Sequence, residues 1–549
     1  MTTTVPTIDF DADFEDLVQR LKDEEEARLT PPLVRLWDGD WNLRGVVKHE
    51  ISMRVQWLHN ETGTATLEMP LDYYLSEWLA DVDERQTTGV MLTVDKDGAR
   101  WSGFMDELQM HKDERGVRYV RAIFKHDYEH LKHILVWSNP FLPAEIQFPR
   151  LWVLFSHHVR WALKTTLLVN IMRLEASLWM LPDDPLDPTK WFNFDQSTWS
   201  MVVKPDITPD HSVGGIVHSR FKTMHEASRR IVEDAQLTWE PRRYLDGDPE
   251  PWPGADIRHG CLVWDLVDNS AFNTGTSFGG SLFDGLIREF VNIGSDGLTE
   301  TVETVADPNI PELYTTPGAI GTDPAVPGVI WRDGEHTGIQ TSMFSHRPAQ
   351  DVGVVGGGHS APGINEGISA GIIGIVGFIG SLLGGQSQIG AAIDAVLRPI
   401  YQDTIGAFGK WKSPARAQRL GWSHLHERWA DGSDRAYTLS WLLAMRAAMW
   451  ATRETTSCTI TVTDGAPWRI GQNGYGHCFL GTRVGFTVLG MKPGRIFVEQ
   501  ISELVLEWGR TSAPIWQLKL GQREPQDPVV RALALLQDFF GMLQDLGVL

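Results

Sequence analysis

Residues 90–105 read VMLTVDKDGARWSGFM, and this stretch carries the clearest secondary-structure signal in the chain. β-forming residues run from Val90 to Val94 and again from Trp101 to Met105, with Lys96-Asp97-Gly98 between them. An Asp-Gly pair between two such runs is a strong signal for a β-hairpin, because both residues accept the positive φ angles of a tight hairpin turn. The stretch therefore predicts two antiparallel strands.

Short strand-like runs lie on both sides of this hairpin and extend the prediction to residues 31–125. They are Leu33–Trp37, the alternating Met53, Val55 and Trp57, Thr64–Met69, and Val117–Phe124. The turns Asp38-Gly39 and Asn60–Gly63 separate some of them, and a short helix is predicted around Leu71–Val82. Several short strands with tight turns are typical of a small barrel or sandwich.

The rest of the chain alternates between helical, loop-rich and β patterns. Helices are predicted over 9–29, 126–137, 151–181 and 413–453, near 281–292, and at the C-terminus; Cys261–Val267 and residues 458–508 read as β, with a turn at Asp464-Gly465. These patterns divide the chain into eight segments: 1–30, 31–125, 126–240, 241–350, 351–412, 413–457, 458–525 and 526–549. The fold class is therefore α+β, with two β modules and helical insertions.

Composition excludes several classes of protein. The 549 residues carry a formal net charge of −22, which argues against ordinary nucleic-acid binding because phosphate contacts need clustered Lys and Arg. The three cysteines form neither a disulfide framework nor a CxxC metal motif. The N-terminus is acidic and lacks an apolar signal-peptide region, so synthesis in a cytoplasm is expected.

Residues 367–393, GISAGIIGIVGFIGSLLGGQSQIGAAI, contain no charged residue. About 20 apolar residues suffice to span a bilayer as a helix, and glycine at spacing three or four lets helices approach closely. The segment thus predicts either a membrane-inserting element or a glycine-packed helix in the core of an oligomer. The candidate membrane-inserting residues are Gly367, Gly371, Ile372, Ile373, Gly374, Ile375, Val376, Gly377, Phe378, Ile379, Gly380, Leu382, Leu383 and Gly384. Tyr401, Lys410, Trp411 and Lys412 follow as candidate interface residues.

Candidate catalytic motifs lack their structural context. Gly275–Gly279 fits G-x-S-x-G, but the predicted strand ends near Val267 rather than at the serine. His424 and His426 at spacing two point to different faces of a helix, and neither His157-His158 nor His225-Glu226 has the second half of an HExxH motif. Gly356–Gly358 lacks the Lys-Ser/Thr of a phosphate loop. We therefore predict no catalytic residues, no metal and no cofactor.

Three stretches together resemble the minor tail proteins that form the tail-tip hub of siphophages of actinobacteria. The first combines LVRLWDGDWNLRGVV (33–47), TGTATLEMPLDYYLSEWLADV (62–82) and MLTVDKDGARWSGFMDEL (91–108). The second is PGINEGISAGIIGIVGFIGSLLGG (362–385). The third joins residues 425–471 to GTRVGFTVLG (481–490). Residues 182–350 resemble nothing in that family.

The resemblance implies β-barrel-rich hub modules and a homotrimer at the tail tip of a virion. Such a hub closes the tail tube and contacts the distal tail ring protein, the tape measure protein and other minor tail or fibre proteins, and DNA passes through it without specific binding. The uncharged segment would then meet the host membrane during DNA ejection. Two rival hypotheses are a pore-forming effector, which would act on membranes without a virion, and a tail-associated cell-wall hydrolase.

Overall fold

The computed structural model describes residues 10–269, 289–293, 300–304, 329–331, 338–359, 407–431, 444–452, 455–463, 468–490 and 497–521, apart from positions 115, 211, 213–214, 236, 446, 450 and 489. The uncharged segment, the G-x-S-x-G motif, the turn at Asp464-Gly465 and the predicted C-terminal helix lie outside these residues.

The described residues are mostly β with some helices. The helices are α1 (Phe10–Leu29), α2 (Tyr74–Ala80), α3 (Val159–Glu175), α4 (Met224–Ala235) and α5 (Pro414–Leu420), with 3₁₀ turns at Asp127–Lys132, Pro188–Lys190 and Gln196–Thr198. The strands of the first half are β1 (Leu33–Asp38), β2 (Leu43–Val46), β3 (Ser52–Leu58), β4 (Thr64–Pro70), β5 (Val90–Lys96), β6 (Ala99–Lys112), β7 (Arg118–His126), β8 (Leu135–Val136), β9 (Trp152–Ser156), β10 (Met201–Val203), β11 (Gly215–Ser219), β12 (Lys222–Thr223), β13 (Leu237–Arg243) and β14 (Leu262–Asp268). Those of the second half are β15 (Glu289–Ile293), β16 (Glu300–Thr304), β17 (Ile330–Trp331), β18 (Ile339–Arg347), β19 (Gly353–Gly357), β20 (Phe408–Lys412), β21 (Arg428–Trp429), β22 (Thr455–Thr463), β23 (Arg483–Phe486), β24 (Phe497–Gly509) and β25 (Ser512–Gly521).

One large sheet joins the two ends of the chain. Its strands run in the order β18-β22-β25-β24-β3-β4-β7-β6-β5-β1-β2, and β17 and β23 attach beside β24. The predicted hairpin is its β5–β6 pair, in which Val94 lies opposite Trp101. Antiparallel pairing of β24 with β3 makes the β regions at 31–125 and 458–525 parts of the same sheet. The pairings among the described strands leave this sheet open, so closure into a barrel stays a prediction.

Alternation along the strands builds the main core. In β3 the buried residues are Met53, Val55 and Trp57, whereas the residues between them are partly or fully exposed. Trp101, Phe124, Trp331 and Phe486 are fully buried in the same cluster, although hundreds of residues separate some of them. Since burying one large apolar side chain contributes about 1.5–3 kcal/mol, this cluster is what holds the two halves together.

A second core lies within residues 128–266, where α3 and α4 pack on β13, β14 and β10. Trp199, Trp239 and Trp264 are buried there, beside Leu163 and Leu167 of α3. As the charges of α3 predict, this helix packs within the protein. Arg160 and Lys164 are buried, and the Lys164 Nζ lies 2.7 Å from Asp206 and 3.0 Å from Asp265.

Four helix predictions are wrong in part. The sequence WVLFS at 152–156 forms strand β9 and pairs with β11, because its aromatic and β-branched residues fit an extended strand. Residues 126–137 form only a 3₁₀ turn followed by the short strand β8. Glu289–Ile293 is a strand, not helix. The described part of 413–453 contains α5 and strand β21 as well as helical residues at 444–445, 447–449 and 451.

Candidate functional site at the base of the uncharged segment

Strand β19 precedes the uncharged segment in the chain, strand β20 follows it, and the two strands pair with each other. Their antiparallel register places Gly357 opposite Phe408 and Gly353 opposite Lys412. The Gly358 N–H also donates to the Ala407 carbonyl over 3.0 Å. The chain between Gly358 and Ala407 therefore leaves and returns at adjacent positions of one sheet. All fourteen candidate membrane-inserting residues belong to that intervening chain and lie outside the described residues.

Close backbone packing requires glycine in this strand pair. A Cβ atom at Gly357 would lie 2.0 Å from the Ala407 carbonyl oxygen, and the φ of +139° at Gly357 is one that side-chain-bearing residues rarely adopt. A Cβ at Gly353 would lie 2.9 Å from the His426 carbonyl oxygen. The glycines of GVVGG thus bring the neighbouring backbones together rather than forming a phosphate loop.

Side chains fasten this small sheet to the elements that follow it. Val354 packs with Ala430, Met445 and Met449 in a separate apolar cluster. The Arg416 guanidinium donates to the carbonyl oxygens of Asp351 (3.0 Å) and Met449 (3.2 Å). The Ser413 hydroxyl accepts from the Arg416 N–H and caps α5. The base of the uncharged segment is therefore a fixed platform.

The outer face of the platform combines aromatic and basic side chains, and we call it the basal face. It consists of Phe408, Lys410, Lys412 and Trp429, all of them exposed; Trp422 and Leu425, also exposed, lie in the loop between α5 and β21. Phe408, Lys410 and Lys412 share one side of β20 because alternate residues of a strand point the same way. The Phe408 and Trp429 rings lie 6.1 Å apart, and Trp422 is 93% exposed. Aromatic rings with lysines are the side chains that proteins place at a membrane–water boundary.

The sequence predicted this site only partly. Lys410 and Lys412 lie on the basal face, but Trp411 turns inward against the cluster of Val354 and Met445. Tyr401 lies outside the described residues. Phe408 and Trp429 were missed, although the alternation in FGKWK already places Phe408 with the lysines. Trp429 carries no such signal because its position depends on the pairing of β21 with β19.

The histidines considered as metal ligands or catalytic groups have ordinary structural contacts. His424 and His426 do not lie on a helix as assumed, and their rings meet edge-to-face with centroids 5.2 Å apart. His225 is hydrogen-bonded to the Tyr128 hydroxyl at 3.0 Å, and burial lowers the pKa of its imidazole. His158 contacts the Ser212 carbonyl. Within the described ranges, His, Cys, Asp and Glu form no group of three or more that could hold a metal ion.

The part of the chain that the structure describes contains no helix long and apolar enough to cross a membrane.

Comparison with known proteins identifies the class to which this chain belongs. The family model described as siphovirus ReqiPepy6 Gp37-like protein matches residues 33–522. Minor tail protein Gp28 of Mycobacterium phage L5 is 39% identical over 97% of this chain and 98% of its own length. Minor tail protein Gp28 of Mycobacterium phage D29 is 39% identical over 97% of each chain. The chain therefore belongs to the siphovirus Gp37-like family and is a minor tail component of a phage virion.

Similarity to a solved tail-protein structure is much weaker. The tail protein from Neisseria meningitidis MC58 is 12% identical, with a TM-score of 0.35 over 91% of this chain and 99% of that chain.

Proposed function

We propose that this minor tail protein is a hub subunit at the tail tip and that its uncharged segment enters the host membrane during DNA ejection. Three copies close the tail tube and contact the distal tail ring protein, the tape measure protein and fibre or other minor tail proteins. Family membership supports the tail location. The observation that supports the membrane role is the paired base of the segment with its exposed aromatic and lysine side chains.

The paired base limits how the segment enters a bilayer. About 20 residues are needed for one helical crossing, and the uncharged stretch of residues 367–393 is long enough for one crossing only. Because β19 and β20 pair with each other, the chain that leaves β19 must return to the same side of the bilayer to enter β20. The segment therefore enters as a re-entrant loop. The polar Gly384-Gly385-Gln386-Ser387-Gln388 run interrupts the apolar residues and provides a place for the reversal.

Charge placed in the segment tests this role in whole phage. Gly377→Asp or Ile375→Asp should leave the yield and composition of particles unchanged but lower infectivity per particle at least tenfold. The reason is that a carboxylate in the bilayer centre costs about 2.5–3.5 kcal/mol. Asn365→Asp is the matched control, since it adds the same charge beside Glu366, outside the uncharged stretch, and it should infect normally.

Two results would contradict the membrane role. Failure of the Gly377→Asp and Ile375→Asp particles to assemble would place the segment in the core of the oligomer. Normal infectivity of both variants would show that the segment never meets lipid. We further propose that the chain acts without catalysis and without a cofactor.

A further inference from the structure

Two loops in residues 139–199 expose an unusual set of large apolar side chains. We call Phe148, Trp179, Leu181, Leu186, Phe192 and Phe194 the aromatic surface; their exposure ranges from 55% for Phe194 to 92% for Leu186. Since a fully buried aromatic side chain covers about 150–250 Å², the six together expose on the order of 800 Å². A large exposed apolar area on two loops that are hydrogen-bonded to each other indicates a contact with another molecule.

Hydrogen bonds hold both loops in place. The Trp179 indole donates to the Phe141 carbonyl over 3.1 Å and so joins the two loops. The Trp191 indole donates to the Pro185 carbonyl over 3.2 Å. The Gln147 amide donates to several carbonyls of its own loop, including that of Pro143 at 2.9 Å. Because the indole N–H groups are satisfied within the loops, the exposed rings offer apolar surface rather than hydrogen-bond donors.

The backbone beneath this surface adopts a conformation that large side chains disfavour. Trp179 and Phe192 have φ angles of 61° and 52°, in the left-handed region that glycine and asparagine adopt at low energetic cost. Gly or Asn at both positions would give a more stable fold. Bulky aromatics at such positions are consistent with a role outside the fold of the single chain.

We infer that the aromatic surface is where one copy of this chain contacts the next. This inference rests on the proposed homotrimer and assigns a surface to it. The exposed area matches the roughly 800 Å² that each partner contributes to a stable interface. Asp183, Asp184, Asp187 and Asp195 lie in the same loop as the aromatic residues, so two aromatic surfaces facing each other would bring like charges together. The contact is therefore head-to-tail, against a different face of the neighbour, and such contacts close into a ring of three when each copy is rotated by a third of a turn from the last.

The test is the oligomeric state of the purified full-length chain, measured by size-exclusion chromatography with light scattering. The variant combines Phe192→Asn with Leu186→Ser. Asparagine accepts the positive φ at position 192, so the variant keeps its fold and its thermal unfolding midpoint. Phe192→Asn alone is a second variant that perturbs the loop less. Met110→Gln, which replaces an exposed apolar residue elsewhere, is the matched control.

We expect a trimer for the wild type and for Met110→Gln, and at least a hundredfold weaker association for the double variant. A trimer that persists unchanged in the folded variants would overturn the inference while leaving the trimeric hub intact. A wild-type chain that stays monomeric at tens of micromolar would overturn both, and a different tail protein would then be the occupant of the surface.

Discussion

Buried charged residues connect the two cores of the molecule. The Arg243 guanidinium donates two hydrogen bonds of 2.9 Å to the Asp127 carboxylate, and both side chains are almost fully buried. Burial alone would raise the pKa of Asp127, but the charge and hydrogen bonds of Arg243 outweigh it and hold that pKa well below its usual value. Arg243 also lies over the Trp41 ring at 4.8 Å. Asp127 thus stays ionised and fixes β13 against the end of β7.

Glu240 differs from Asp127 because it is partly buried and has no dominant cation beside it. It lies directly opposite Asp265 in the β13–β14 pair. Burial first, and the Asp265 charge second, raise the pKa of Glu240 to about 7, whereas Lys204 and Arg242 lower it less strongly. A carboxyl with a raised folded-state pKa stabilises the fold fully below its unfolded pKa near 4.5, and this contribution is lost as pH rises through about 7.

Glu240→Gln should therefore remove one source of pH dependence. We expect the thermal unfolding midpoint of the wild type to decrease as the pH is raised from 5 to 8, and to decrease less in Glu240→Gln. At pH 8 the free energy of unfolding of the variant should exceed that of the wild type by about 1–3 kcal/mol. Thermal unfolding followed by circular dichroism across this range is the measurement. Glu114→Gln, at an exposed position, is the control and should follow the wild-type profile. Parallel profiles for Glu240→Gln and the wild type would contradict the assignment.

At the scale of elements, strand β24 is the connection on which the large sheet depends. It pairs with β25 on one side and with β3 on the other, so its backbone groups are used on both sides. Leu504 and Leu506 from the C-terminal region are buried with Val55 and Trp57 from the N-terminal region. Local patterns predicted the strands, but no local pattern specifies a pairing between residues about 450 positions apart.

A proline in this strand should unfold both β regions together. Val505→Pro removes a backbone donor from a central strand, and we expect a loss of about 3 kcal/mol or more in the free energy of unfolding. Val505→Ala keeps the N–H group and should cost less. Hydrogen exchange measured by mass spectrometry distinguishes the outcomes. If only 455–521 lost protection in Val505→Pro while 33–126 stayed protected, the two regions would be independent.

At the scale of the whole molecule, the net charge of −22 opposes non-specific binding to DNA. We expect no retention of duplex DNA at physiological salt, with a dissociation constant weaker than the roughly 10⁻⁴ M at the weak end of non-specific binders. An electrophoretic mobility shift assay with the purified chain measures this, and a basic DNA-binding protein is the positive control. Retention that weakens with added salt would reveal a basic groove and contradict passage without binding.

The sequence alone determined the features that depend on near neighbours. The hairpin at Lys96-Asp97-Gly98, helix α1 and the alternation in β3 follow from local turn chemistry and periodicity, and the resemblance to tail proteins followed from linear motifs. The tertiary structure alone decided which distant segments come together: β24 pairs with β3, Arg243 binds Asp127, and the Trp429 ring lies near the Phe408 ring. Residues 152–156 were predicted to be helical from the sequence, but pairing with β11 stabilises a strand there. The physical reason is that burial and strand pairing depend on the whole chain, whereas propensity depends on a few adjacent residues.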